Sequence, residues 1–194
     1  MALKETFFIA SLPRARTAWL ANWLTTGEVT CHHEALRYCD AATAGSLRKY
    51  FEATGTPYVG DSDCGLPFIM DDVMTEFPGA KLVVIERGIE PVIQSLHKTF
   101  PRIKTDFREI VLKAHLALER TKQKYHPLVI GFEELNDMKV CQKLWEHCLP
   151  KLKFCESRWK MLEQLTVEIH PQKYLASFPA AAVSFLAAIM QNYK

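Results

Sequence analysis

Phe7-Phe8-Ile9-Ala10-Ser11-Leu12-Pro13-Arg14-Ala15-Arg16-Thr17-Ala18-Trp19-Leu20-Ala21-Asn22-Trp23-Leu24 is the stretch that decides the fold of this chain. An apolar run with strand character stops at Ser11-Leu12-Pro13, passes two arginines and becomes an apolar-periodic helix. Such a turn gathers two guanidinium groups, the Thr17 hydroxyl and a helix N-terminus. The first N–H groups of a helix have no intrahelical acceptor, and the macrodipole adds partial positive charge, so the junction favours an anion. Arginine adds planar, two-pronged recognition of phosphoryl oxygens. The loop contains no glycine and no Gly-Lys-Ser/Thr, which argues against an ordinary ATP- or GTP-hydrolysing P-loop.

The segments around this junction alternate. Thr6–Ser11, Tyr58–Asp61, Lys81–Glu86 and Leu128–Phe132 read as strands, with a short one at Glu28–Cys31 and weaker candidates at Leu152–Cys155 and Thr166–Ile169. Helical patterns cover Thr17–Thr26, Ala42–Ala53, Leu66–Phe77, Pro91–Lys98, Thr105–Lys124, Met138–Cys148 and Pro179–Tyr193. Continuous aliphatic runs such as Leu82-Val83-Val84-Ile85 suit buried parallel strands. The alternation predicts a single α/β domain over residues 1–194, three layers deep, with a central mostly parallel sheet flanked by helices. Ligands of such sheets sit at the carboxyl ends of the strands. The candidate segments are therefore the arginine loop, Asp61-Ser62-Asp63-Cys64-Gly65, Arg87-Gly88-Ile89-Glu90-Pro91 and Glu133-Glu134-Leu135-Asn136-Asp137.

Composition narrows the class. With 194 residues, 48% hydrophobic and 24% charged, the chain has enough apolar material for one globular core. A formal net charge of +2 excludes a general attraction to nucleic acid. The N-terminus lacks a basic segment followed by an apolar one, and the longest apolar stretch, Phe178–Met190, is too short to span a bilayer. These features point to a cytoplasmic protein without nucleic-acid or membrane partners. The six cysteines form no CxxC pair, and neither Cys31-His32-His33 nor His147-Cys148 has zinc-ligand spacing, so free thiols and no metal are expected. The sequence carries no sign of its oligomeric state.

Two of the strand ends together resemble the sulfotransferase family, and a third is a weaker echo of it. Pro13-Arg14-Ala15-Arg16-Thr17-Ala18-Trp19-Leu20 is similar to that family's Pro-Arg-Ser-Gly-Thr-Thr-Trp-Leu loop, which holds the 5′-phosphosulfate. Val83-Val84-Ile85-Glu86 leads into Arg87, and Ser95 follows eight residues later, the spacing of the family's 3′-phosphate pair. Leu128-Val129-Ile130-Gly131-Phe132-Glu133-Glu134-Leu135 resembles the strand ending in Tyr-Glu-Asp-Leu. The resemblance implies a P-loop-like fold and 3′-phosphoadenosine 5′-phosphosulfate as sulfuryl donor, with adenosine 3′,5′-bisphosphate as product and no metal. Pro13, Arg14, Ala15, Arg16, Thr17, Ala18, Arg87 and Ser95 would bind the nucleotide, and Arg14 would also stabilise charge on the transferring group.

Transfer needs a base for the acceptor's proton. In branches with a glutamate base, that residue lies about twenty residues beyond the loop arginine, where this chain has Cys31-His32-His33-Glu34-Ala35. The resemblance thus nominates Glu34 first and His33 second. The acceptor is a small molecule, saccharide or peptide bearing a hydroxyl or amine; Trp23, Tyr38, Phe68 and Phe100 are candidates to line its pocket. The chain also departs from the pattern. Ala15-Arg16 replaces Ser-Gly, and a non-glycine residue there is expected to avoid positive φ. A lysine found in several branches after the third strand is replaced by acidic Gly60-Asp61-Ser62-Asp63, whose aspartates either bind a cationic or hydroxyl-rich acceptor or, the favoured reading, cap the helix near Leu66. The family's C-terminal nucleotide-closing motif is missing. Two alternatives follow: a degenerate P-loop nucleotide or nucleoside kinase, which needs a lysine and a Mg²⁺ carboxylate such as Asp61 or Glu133, and a non-catalytic nucleotide-binding protein of the same fold.

Overall fold

The computed structural model describes residues 4–101 and 106–164. Five parallel strands form one sheet: β1 (Glu5–Ser11), β2 (Val29–His33), β3 (Tyr58–Asp63), β4 (Lys81–Glu86) and β5 (Leu128–Gly131), in spatial order β2-β3-β1-β4-β5. The α-helices are α1 (Thr17–Leu24), α2 (Ala44–Glu52), α3 (Met70–Glu76), α4 (Ile89–Thr99), α5 (Phe107–Tyr125), α6 (Met138–Cys148) and α7 (Glu156–Glu163). Short 3₁₀ turns follow β2 (Ala35–Tyr38), β3 (Leu66–Ile69) and β5 (Phe132–Asn136). The α/β class read from the alternation is the observed one.

Strand alternation sorts the core into two layers. On β1, Phe8 and Ala10 join a cluster with residues of α2 to α5, whereas Phe7 and Ile9 join one with residues of α1, α6 and α7. Gly60 of β3 is needed for this packing, because a Cβ there would fall 2.2 Å from the buried Phe7 ring. β1 lies at the centre, paired with β3 and β4, so the arginine loop emerges between two strand ends. That is the crevice position at which open α/β sheets hold ligands.

The strand and helix expectations need several corrections. Leu152–Cys155 is not a strand; Leu152 instead accepts a 2.9 Å bond from the Trp145 indole, and Phe154 packs edge-on against Trp23 and Trp145. The Leu66–Phe77 pattern splits into a 3₁₀ turn and α3, with Pro67 opening the turn and Ile69 leaving helical geometry at φ −123, ψ 17. β3 runs on to Asp63, and the strand expected at Leu128–Phe132 stops at Gly131, where Glu134 folds back to accept the Gly131 N–H at 2.6 Å. The expected Thr166–Ile169 strand and Pro179–Tyr193 helix lie outside the described residues. All six cysteines are free, and burial pushes the thiols of Cys31, Cys39, Cys141 and Cys148 up in pKa.

Candidate functional site

The site begins with backbone strain. Arg14 and Arg16 have φ of 65 and 62, both in the left-handed region, with Ala15 between them at negative φ. The expectation that a non-glycine residue avoids positive φ here is therefore wrong. A left-handed residue with a Cβ costs on the order of 1–2 kcal/mol, and such strain persists only where surroundings over-determine it. Here Ala15 is fully buried, the Arg16 carbonyl accepts the Leu20 N–H at 2.9 Å, and the Arg16 guanidinium lies over the Trp19 ring at 5.8 Å. Alternating φ sign turns successive N–H groups toward one concavity, an anion-binding arrangement. No side chain caps the N-terminus of α1.

The side chains of this loop and of β4 and α4 meet. Arg14 Nε donates to Ser95 Oγ at 3.1 Å, and Arg87 donates to the Arg14 carbonyl. Arg87 also stacks on the Phe132 ring, 4.0 Å from its centroid. Its Nε is buried without a hydrogen-bond partner. Burial, and after it the nearby charge of Arg14, holds the Arg87 pKa below the ordinary arginine range. A cavity of about 480 Å³ adjoins Arg87, walled by Leu12, Leu118 and Phe132 and also by the acidic residues Glu86, Glu119, Glu133 and Glu134; its volume is within the usual range for small-ligand pockets. Guanidinium groups gathered in this way supply planar donors of the kind that a phosphoryl anion accepts.

A second chain of contacts leads from Thr17 to β2 and β3. Thr17 Oγ1 and His33 Nε2 share a hydrogen bond of 3.0 Å, His33 Nε2 is 3.7 Å from Glu34 Oε1, and Arg37 pairs with Glu34 Oε2 at 2.8 Å. Burial lowers the His33 pKa against the opposing effect of Glu34. Asp61 and Asp63 stand beside this pair, both buried. Asp63 Oδ1 accepts the Gly65 N–H at 2.6 Å, just ahead of the turn at Leu66. Asp61 does something else: its Oδ1 accepts the Ala35 N–H at 3.0 Å, capping the turn after β2. Burial, followed by the charge of Asp63, raises the Asp61 carboxyl well above the carboxylate range. Burial, followed by the charge of Glu34, pushes Asp63 up to about 7.

This raised carboxyl has a measurable consequence. Unfolded, Asp63 ionises near the ordinary value of about 3.9. Between that pH and about 7 the folded chain keeps a proton that the unfolded chain releases, so stability falls as pH rises through this window. The slope from one such group reaches about 1.4 kcal/mol per pH unit. Asp63→Asn keeps the acceptor for Gly65 and removes the titration. Urea unfolding from pH 5 to 8 is expected to show a flatter stability profile for the variant, which overtakes wild type by pH 8; parallel curves would contradict this.

No protein-family model matches the sequence, and none of the curated proteins matches it. Solved structures do. A sulfotransferase from Alicyclobacillus acidocaldarius aligns over 98% of this chain and 97% of its own, with a TM-score of 0.58 and 15% identity. Mouse sulfotransferase SULT7A1 complexed with PAP aligns over 84% of this chain with a TM-score of 0.56 and 14% identity. This chain spans 64% of the mouse protein. The fold is sulfotransferase-like.

The loop Pro13–Ala18, Arg87, Ser95, His33 and Glu34 thus line one end of the sheet, joined by the contacts above. Other expectations are corrected or refined. Trp23 is fully buried, stacked on Trp19 at 5.4 Å, and lines no pocket because α1 turns it into the core. Phe68 and Phe100 pack against the core layer of α2 to α5, while Tyr38 remains 63% exposed and stacks on Tyr50. Sequence reasoning missed Arg37, although its position three residues after Glu34 puts it within reach across one helical turn. Among the described residues, no group of three or more His, Cys, Asp or Glu is arranged to hold a metal, and no helix is long and apolar enough to cross a membrane.

Proposed function

We propose that this protein transfers a sulfuryl group from 3′-phosphoadenosine 5′-phosphosulfate to a hydroxyl or amine of a small-molecule, saccharide or peptide acceptor. The observation that carries the reading is the 3.1 Å bond from Arg14 to Ser95, reinforced by Arg87 on the Arg14 carbonyl, which brings the residues proposed for the two phosphate ends into contact. PAP, adenosine 3′,5′-bisphosphate, has a phosphate at each end and matches such an arrangement. The left-handed loop, Arg16 and Thr17 would hold the 5′ end, and Arg87 and Ser95 the 3′ end. The bound donor supplies an activated sulfuryl group. Glu34 Oε1 would take the acceptor's proton, while Arg14 offsets charge that develops on the leaving phosphate. His33, bonded to Thr17, would keep the loop and the base in one frame.

The Glu34–Arg37 ion pair favours a second reading, a nucleotide-binding protein of this fold without transfer. Thermal unfolding tests the shared part of both. Adenosine 3′,5′-bisphosphate at 100 times its Kd is expected to stabilise the protein by about 2.7 kcal/mol, whereas coenzyme A and ATP–Mg²⁺ do less. A shift with ATP–Mg²⁺ alone would overturn the proposal in favour of a kinase.

A further inference from the structure

Arg14, Arg16 and Arg87 crowd one end of the sheet; the charges of Arg14 and Arg16 act against that of Arg87, and Glu133 offsets part of this. Neither Arg16 nor Arg87 makes a salt bridge among the described residues. Both face the same ring instead. The Arg87 Cζ lies 4.0 Å and the Arg16 Cζ 5.5 Å from the centroid of Phe132. The ring itself is held firmly. It opens the 3₁₀ turn Phe132–Asn136, whose Leu135 is fully buried, and it packs against the core layer of α1 and α6.

An aromatic face attracts a guanidinium without occupying its in-plane N–H donors. A carboxylate at the same place would attract it too, but would compete with an anionic ligand for those donors. Phe132 therefore offsets part of the mutual repulsion and leaves the arginines able to bind. It also ties an arginine from the loop after β1 to one from the end of β4.

We propose that Phe132 is a positioning residue that couples the two anion subsites, holding Arg16 and Arg87 together so that a ligand with two phosphate ends is favoured over a ligand with one. The inference rests on the nucleotide-binding reading above. With both arms ordered beforehand, a two-ended ligand avoids the ordering loss twice and a one-ended ligand once.

Calorimetric titration of wild type, Phe132→Leu, Phe132→Met and Phe132→Tyr tests this, with adenosine 3′,5′-bisphosphate, adenosine 5′-monophosphate and adenosine 3′-monophosphate as ligands. The leucine and methionine variants keep apolar bulk but lose the π face, so either can serve if the other fails to fold. Each is expected to lose about fivefold in affinity per arginine released, a typical size for a partly desolvated cation–π contact. That amounts to roughly 25-fold for the bisphosphate and fivefold for each monophosphate. The tyrosine variant is expected to bind like wild type. A merely structural role would lower all three affinities by one common factor, and that result overturns the inference, as does failure of tyrosine to restore binding. Wild-type binding that is unchanged in the leucine and methionine variants removes this inference alone. Absence of wild-type binding to all three ligands removes the functional reading and the inference together.

Discussion

Replacing Arg87 by alanine is expected to weaken binding of adenosine 3′,5′-bisphosphate by roughly 100-fold or more, the scale at which a desolvated charge partner is lost. The variant removes three things at once: a cation next to the cavity, the donor to the Arg14 carbonyl, and the group stacked on Phe132. The folded protein should not suffer in proportion. Arg87 is repelled by Arg14 and Arg16 and attracted by Glu133, so its removal relieves charge crowding while losing that attraction and one hydrogen bond. Unfolding free energy is expected to stay within about 1 kcal/mol of wild type. Arg87→Lys should recover little, because an ammonium cannot stack on Phe132 and donate sideways to Arg14 at the same time. Calorimetric titration beside urea unfolding separates the two effects. Binding that survives in Arg87→Ala would mean that the 3′ end of the nucleotide lies elsewhere.

The sequence made the scaffold legible because its buried strands are short, aliphatic and regularly spaced. β4 at Lys81–Glu86 and α6 at Met138–Cys148 have the limits that hydrophobic pattern alone suggests. Elements with other sources of stability were not legible. Leu152–Cys155 has strand-like residues, but they serve to anchor Trp145 and Trp23, a tertiary contact invisible to local pattern. The site divides in the same way. Arg14 and Thr17 are found at a strand-to-helix junction, and Arg87 and Ser95 through their resemblance to the sulfotransferase signature. The left-handed Arg16 is not, because residue type alone assigns positive φ to glycine and the compensation comes from Trp19 and Phe132 in three dimensions. Asp63 was readable as a cap ahead of Leu66, whereas Asp61 caps the turn after β2, and only their burial in the fold reveals that both carboxyls are raised in pKa.

Glu34→Gln is the second change with a large expected effect. If Glu34 takes the acceptor's proton, transfer of labelled sulfuryl group to a panel of hydroxyl and amine acceptors should fall by about 10²- to 10⁴-fold. Binding of adenosine 3′,5′-bisphosphate should change less than about threefold, because no predicted phosphate contact is removed. Structure and chemistry must be separated here, since the Glu34 and Arg37 side chains are only 10% and 11% exposed. Breaking such a pair leaves a cation with a neutral partner, a loss of up to about 3–5 kcal/mol if nothing compensates. Glutamine keeps an oxygen for Arg37, so the loss should be smaller than for Glu34→Ala. The division of labour within the carboxyl cluster supports this choice of base. Burial favours the protonated forms of Asp61 and Asp63, while Glu34 has Arg37 for a partner and His33 leading back to the loop. Full transfer activity in a folded Glu34→Gln protein would move the base to His33. Nucleotide binding by wild type with no transfer to any acceptor would instead favour the ion pair with Arg37 as a purely structural use of Glu34, and with it the non-catalytic reading.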